Sequence, residues 1–186
     1  MKHWTILAIL VPVLIGCEST PQEPSVPTGI AVTALDRGRL AGARAYFAVH
    51  APVSVALDVI IDIDRYAEFR PGVLEAKSVA ASQEGGQAFI RFSRDYTDEI
   101  NATCDYTITE QETGFRVEYQ MLDPSHSLWA QNGVFTLLSA KGGEWTVIDQ
   151  EVLISAMSSN RQGILDAARA DAEAIQRRIE EIAGVR

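Results

Sequence analysis

The chain has 186 residues, of which 47% are hydrophobic, and its formal net charge is −9. Once an N-terminal leader is set aside, this length suits a single globular domain with a real core. An acidic chain repels phosphate backbones and anionic lipid headgroups, so we expect neither nucleic-acid binding nor direct electrostatic adhesion to a membrane.

The first residues have the layout of a secretory signal. Lys2 precedes an apolar run over residues 6–15, and Gly16 and Cys17 follow it. A charged start, a short hydrophobic stretch and a small residue before a cleavage point are typical of such signals. The run is too short for a membrane-spanning helix, which needs roughly 20 apolar residues, and Pro12 interrupts it.

The segment Leu14-Ile15-Gly16-Cys17 resembles the bacterial lipobox. The resemblance implies that residues 1–16 are removed as a signal peptide and that Cys17 is acylated on its sulfur and on its new amino group. Several acyl chains suffice for stable anchoring, whereas one binds only marginally. Glu18 follows the cysteine. In lipoproteins a residue other than Asp at that position implies transfer to the outer membrane, so we expect the periplasmic face of that membrane in a bacterial cell envelope. The alternative is an ordinary signal peptide with an incidental cysteine.

A tether and a lead-in, together residues 17–42, separate the signal from the predicted domain. Residues 18–27 (ESTPQEPSVP) are rich in Pro, Ser and Glu, cannot build a core and are predicted to be extended. Residues 28–42 contain three glycines among apolar positions and predict either a short helix or an edge strand. The globular domain is therefore predicted to span residues 43–186.

The domain opens with a predicted strand and two short helices. Residues 43–49 (ARAYFAV) predict the strand, and Pro52 suits the first turn of the helix that follows. A second short turn over residues 65–69 places Tyr66 and Phe69 inwards. The apolar residues of the first helical segment recur at helical spacing: Ala56, Val59, Ile60 and Ile63.

The hydrophobic period then changes from helical to two, which predicts strands with one buried and one solvated face. The clearest run, residues 100–108, alternates apolar residues with Asn, Thr and Asp. Similar runs lie on either side of it, separated by turn residues such as those at 84–86, 112–114 and 141–144. The sequence therefore predicts six antiparallel strands between residues 73 and 156.

The chain ends in a predicted amphipathic helix, residues 160–183, which Ser159 or Asn160 can cap. Its apolar stripe consists of Ile164, Ala168, Ala172, Ile175, Ile179 and Ile182. The opposite face is charged, and Asp171 is assigned to that face. Such a helix should lie across the concave face of the sheet. The slot between them is either closely packed or open to a ligand, and the sequence leaves both possibilities open.

Residues 46–184 resemble the START-like helix-grip superfamily, which includes polyketide cyclases, coenzyme-Q-binding proteins and lipid-transfer domains. The match is carried by FAVHAP at residues 47–52 and VIIDIDRYAEFRPGV at residues 59–73. It is similar to the family's opening of strand, Ala-Pro, helix and Asp-x-x-x-Tyr-Pro-x-Phe-x-Pro, although Ala67 stands where many members have Pro. The resemblance implies an α+β fold in which a curved antiparallel sheet of six to seven strands wraps around the C-terminal helix, with two short helices after the first strand.

The resemblance and the expected lipid anchor together favour a membrane-tethered lipoprotein that binds or carries a hydrophobic small molecule, such as a lipid, a sterol-like compound or a quinone. Ligand pockets are mostly apolar with few polar groups. The candidate cavity wall is therefore aromatic, Met and small helix residues: Phe92, Tyr106, Phe115, Tyr119, Met121, Phe135, Ala168 and Ala172. The hydroxyls of Tyr106 and Tyr119 could contact the polar end of a ligand.

Two alternative functions stay open. A cyclase-like or hydrolase-like enzyme would need a polar pair inside the cavity, such as His126 with Asp123, or a tyrosine. A structural envelope lipoprotein would instead have a filled core. An entirely apolar pocket would exclude the enzyme. A slot below roughly 300 Å³ falls short of the usual ligand pocket and would favour the structural protein.

The remaining polar residues predict no catalytic group. Asp62 and Asp64 lie two apart and do not face each other on a helix. Arg91 falls on the solvent side of its strand, and Cys104 is interpreted as a small buried hydrophobe without a disulfide partner if Cys17 is lipidated. No phosphate loop, metal cluster or nucleophile motif is found, so we assign no catalytic residue, metal or cofactor.

Overall fold

The computed structural model describes residues 23–38, 40–94, 98–123, 128–156 and 160–185. Cys17 and His126, both singled out above, lie outside these ranges. The described strands are β1 (Ala31–Arg37), β2 (Leu40–Val49), β3 (Val73–Ser82), β4 (Gly85–Arg94), β5 (Asp98–Gln111), β6 (Gly114–Met121), β7 (Leu128–Ala140) and β8 (Trp145–Ala156). The helices are α1 (Val53–Ile61), α2 (Tyr66–Phe69) and α3 (Arg161–Ile182). None of the helices in the described ranges is long and apolar enough to cross a membrane.

The described strands form one antiparallel sheet in the order β1-β2-β8-β7-β6-β5-β4-β3. The six antiparallel strands predicted after the helices are confirmed as β3 to β8. The sheet has eight strands rather than six or seven, because residues 31–37 pair with β2 from Ala31 opposite Tyr46 to Arg37 opposite Leu40. Of the two alternatives for the lead-in, the structure has the edge strand, so the sheet begins before residue 43.

The helices between β2 and β3 bury the stripe that their spacing predicts. Ala56, Val59 and Ile60 of α1 are buried, as is Tyr66 of α2. The two neighbouring aspartates do not form a shared site: Asp62 is exposed, and the Oδ1 atom of Asp64 accepts a hydrogen bond from the Ser78 amide at 2.7 Å. That bond holds the turn before α2 against β3.

Helix α3 lies on the concave face of the sheet and packs unevenly along its length. The side chain of Asn160 accepts from the Gln162 amide at 3.0 Å, which confirms the predicted cap. Its buried residues all fall in the C-terminal half: Ala172, Ala174, Ile175 and Ile179. The N-terminal half is only half-buried or exposed. Ile182, predicted on the apolar stripe, is 54% exposed, because the buried stripe ends at Ile179.

The main core lies between the concave face, α1 and the C-terminal half of α3. Its largest members include Phe47, Leu137, Ile148 and Ile175, all fully buried. A smaller cluster on the convex face contains Ala48, Ala140 and Val147, and Val26 packs against it.

The end of the predicted tether contacts the convex face and the turn between β7 and β8. The Glu23 carboxylate accepts from the Gly142 amide at 2.9 Å, and Tyr46 donates to the Ser25 carbonyl at 3.4 Å. The described strands and helices lie between Ala31 and Ile182, and their apolar faces pack against one another in the core. We therefore expect this part of the chain to fold without the predicted signal peptide.

Candidate functional site

A cavity of about 520 Å³ lies between the concave face of the sheet, the N-terminal half of α3 and the segment that follows α2. This volume is within the range of small-molecule pockets, roughly 300–1,000 Å³. It explains why the first half of α3 has no fully buried residue: that half covers open space instead of core. Of the two possibilities left open by the sequence, the slot is open rather than filled.

The wall of the cavity is largely apolar because inward-facing positions of the strands alternate with solvated ones. Strands β4, β5 and β8 contribute Ile90, Phe92, Ile100, Ala102, Val152 and Ile154. Helix α3 contributes Ile164, Ala167 and Ala168, and the small Ala side chains leave the space that a larger residue would fill.

Four of the eight residues predicted to line the cavity do so: Phe92, Tyr119, Phe135 and Ala168. The other four lie outside its wall. Tyr106 packs in a cluster with Ile63 and Tyr66, and Phe115 is half-buried against the main core. Met121 packs against Cys104 and its neighbours, and Ala172 is fully buried in the main core.

An ion pair that the sequence did not predict lies in the cavity wall. Arg70, which follows α2, donates from Nε to Asp171 Oδ1 at 2.8 Å and from Nη2 to Asp171 Oδ2 at 2.6 Å. Their side chains are 17% and 16% exposed. Burial lowers the pKa of Arg70, but the charge of Asp171 and its hydrogen bonds outweigh that effect and raise the pKa overall. The guanidinium also lies 4.5 Å from the centre of the Tyr66 ring.

Gln150 of β8 joins this pair. Its Nε2 atom donates to Asp171 Oδ2 at 2.7 Å, so the Asp171 carboxylate accepts three hydrogen bonds. The Oε1 atom of Gln150 is buried and has no hydrogen-bond partner among the described residues. Buried polar atoms without partners are rare in proteins, so this oxygen needs an explanation.

Two tyrosine hydroxyls meet at the end of α1. The hydroxyl oxygens of Tyr66 and Tyr119 both lie within hydrogen-bond distance of the Ile60 carbonyl, the latter at 2.8 Å, and they are 2.9 Å from each other. With one proton each, one hydroxyl can donate to the carbonyl while the other donates to its neighbour. Ile60 lies in the last turn of α1, where carbonyls lack a partner within the helix. Burial raises the pKa of both tyrosines, so both stay neutral at physiological pH.

The sequence contained signals for the polar residues that we missed. Asp171 was assigned to the solvated face, and the structure contradicts this assignment. It lies three residues after Ala168 and four before Ile175, which is a position on the apolar stripe. Gln150 shares the parity of the inward-facing Ile148 and Val152 in β8. A polar residue at an apolar position is therefore the pattern that identifies both.

The remaining candidate residues fall into three places. Cys104 lines the cavity, is 7% exposed, and burial raises its pKa to about 11. It is buried, as predicted. Asp123 is exposed after β6 and does not line the cavity. Arg91 lies on the outer side of β4 and pairs with Glu75 and Glu99, at 3.1 and 3.3 Å.

No protein-family profile and no curated protein sequence matches the chain. Solved structures do match it in fold. A STAR-related lipid transfer protein from Xanthomonas axonopodis is 13% identical with a TM-score of 0.68, and the match covers 86% of this chain and 98% of that one. Human STARD10 is 10% identical with a TM-score of 0.66, over 86% of this chain and 73% of that one.

A third match is the Zhui aromatase/cyclase from Streptomyces sp. R1128, at 14% identity and a TM-score of 0.54, over 83% of this chain and 90% of that one. Identities this low speak for the fold alone. Together with the curved eight-stranded sheet and the long C-terminal helix, they confirm the fold predicted from residues 46–184: this chain has the START-like helix-grip fold.

Proposed function

We propose that this domain binds and carries a hydrophobic small molecule, such as a lipid, a sterol-like compound or a quinone, in the cavity beneath α3. The observation that carries the proposal is the cavity itself, which has the volume of a ligand pocket and walls of aliphatic and aromatic side chains. A lipid transfer protein of the same fold, 13% identical, gives the proposal further support.

We also propose that the domain is tethered to the periplasmic face of the bacterial outer membrane through a lipid on Cys17. The support is the lipobox-like segment at residues 14–17 and the residue after it, Glu18. A tether of this kind would hold a lipid carrier near its source at high effective concentration.

The binding proposal is tested by extracting the purified protein with organic solvent and identifying co-purified apolar molecules by mass spectrometry. Ala168→Phe should reduce the bound amount at least tenfold, because the ring would occupy the cavity that Ala168 lines. Ala183→Phe is the matched control, since Ala183 is exposed beyond the end of α3 and its substitution should leave the bound amount unchanged. If the wild-type protein neither yields an apolar molecule nor binds an added one, the proposal is wrong.

A cyclase-type enzyme is the second candidate function. The observation that favours it is the group of polar side chains in the cavity wall, namely Tyr66, Arg70, Tyr119, Gln150 and Asp171. Incubation of the extracted molecule with fresh protein, followed by mass spectrometry, separates the two functions. A carrier returns the molecule unchanged, whereas an enzyme returns a product of different mass.

A further inference from the structure

We infer that the cavity selects neutral apolar molecules that carry a hydroxyl or amide N–H at one end, and discriminates against ionised carboxylates. This inference rests on the proposed binding function and specifies its ligand class. It comes from the hydrogen-bond inventory around Gln150, Arg70 and Asp171.

The first step concerns the unpartnered oxygen of Gln150. The orientation of the amide is fixed, because turning it over would place its oxygen, instead of Nε2, 2.7 Å from the Asp171 carboxylate. Oε1 therefore remains the free acceptor, on a buried residue of the cavity wall. A buried acceptor is stabilised only by a donor, so the ligand atom that complements it must carry a proton.

The second step is that the neighbouring hydroxyls cannot supply that donor. Tyr66 and Tyr119 have one hydroxyl proton each, and the Ile60 carbonyl and their mutual contact use both. Arg70 directs two of its five N–H groups at Asp171. One of the remaining N–H groups interacts with the Tyr66 hydroxyl, and the others, on a residue that lines the cavity, can donate to a ligand oxygen. An alcohol both accepts from such a group and donates to Gln150, whereas a carboxylate only accepts.

The third step is charge. Arg70 is the only cationic side chain among the described residues of the cavity wall, and Asp171 already balances it at 2.6 Å. An added carboxylate would bring a second negative charge close to Asp171 in a buried site, which is unfavourable. The start of α3, at Asn160 and Gly163, also lines the cavity, and its dipole favours anions. We expect the charge of Asp171 to outweigh the helix dipole. The affinity of a carboxylate relative to that of an alcohol tests this expectation.

The test uses the mature chain, residues 17–186 with Cys17→Ser, and isothermal titration with three probes at pH 8: decanol, decyl methyl ether and sodium decanoate. The ether retains the oxygen but lacks the proton. We expect decanol to bind at least tenfold more tightly than either of the others. Gln150→Met should remove the preference for decanol over the ether. Gln120→Met, the same change at an exposed glutamine outside the cavity wall, should preserve it.

Each outcome has a defined meaning. Equal affinities for decanol and its ether, or tightest binding of decanoate, overturn this inference and leave the carrier function standing. Binding of none of the probes overturns the inference, and it overturns the carrier function as well if solvent extraction yields no apolar molecule. If Gln150→Met does not fold, the wild-type comparison of decanol with its ether still decides.

Discussion

Replacing Asp171 with Asn should lower the free energy of unfolding by about 2–4 kcal/mol. The substitution keeps the shape of the side chain but leaves the Arg70 guanidinium without the carboxylate that it contacts at 2.6 and 2.8 Å. Breaking a fully buried ion pair costs about 3–5 kcal/mol. Because these two side chains are 17% and 16% exposed, water can partly replace the lost carboxylate, and the expected cost is slightly smaller.

A double-mutant cycle identifies the cause of this loss. Arg70→Met and Asp171→Leu should each destabilise the protein as single changes, since each leaves the other member of the pair as an uncompensated buried charge. Combining Arg70→Met with Asp171→Leu leaves neither charge, and replacing a buried pair by apolar residues is often close to neutral. The two single losses should therefore not add, and their coupling should be about 2 kcal/mol or more.

Urea unfolding, followed by far-UV circular dichroism, measures these differences. The matched control is Asp149→Asn in the exposed pair of Arg44 and Asp149, where the side chains are 45% and 21% exposed. Surface pairs contribute at most about 1 kcal/mol, so this control should lose less than that. Equal losses for Asp171→Asn and Asp149→Asn, or strictly additive losses in the cycle, would refute the reasoning.

Three further predictions concern the core, the thiol and the anchor. Leu137→Ala should lower the free energy of unfolding by about 2–5 kcal/mol, measured by urea unfolding, because Leu137 is fully buried in the main core. A loss below about 1 kcal/mol would contradict the position of Leu137 in the core. Burial raises the pKa of Cys104 from 9.0 to about 11. The thiol therefore ionises at lower pH in the unfolded chain than in the folded protein. The contribution of Cys104 to the free energy of unfolding is fully present below pH 9, and the free energy falls by about 2–3 kcal/mol as the pH rises to about 11. Urea titrations should show a flatter profile for Cys104→Ala, and identical profiles would contradict the shift. Cys17→Ser, made in the full chain, should move the protein from the detergent phase to the aqueous phase of a phase-separating detergent extract; retention in the detergent phase would argue against the lipid anchor.

Most of the sheet could be predicted from the sequence, because a two-residue hydrophobic period follows directly from strand geometry. The bounds of β3 and β8 agree with the periodicity, and the cap at Asn160 follows from its side-chain chemistry. The sequence of β1 does not decide between strand and helix, because short apolar segments with glycines are compatible with both. Its pairing with β2 settles its conformation.

The cavity was less predictable, because periodicity gives the face on which a residue lies but not its position along the slot. Tyr106 and Tyr119 share the inner face, yet only Tyr119 lines the cavity, while Tyr106 belongs to a cluster with Tyr66. The polar residues of the wall depend on long-range contacts. Arg70 and Asp171 are 101 residues apart in the chain, so no local spacing rule connects them.

The most direct test of the account is a crystal structure of the mature protein purified from bacterial membranes without added ligand. The account predicts continuous elongated density beneath α3, in contact with Phe92, Phe135 and Ala168, with one end near Gln150. Aromatic rings packed directly against the Ala168 methyl group, with no space between the sheet and the first half of α3, would contradict it.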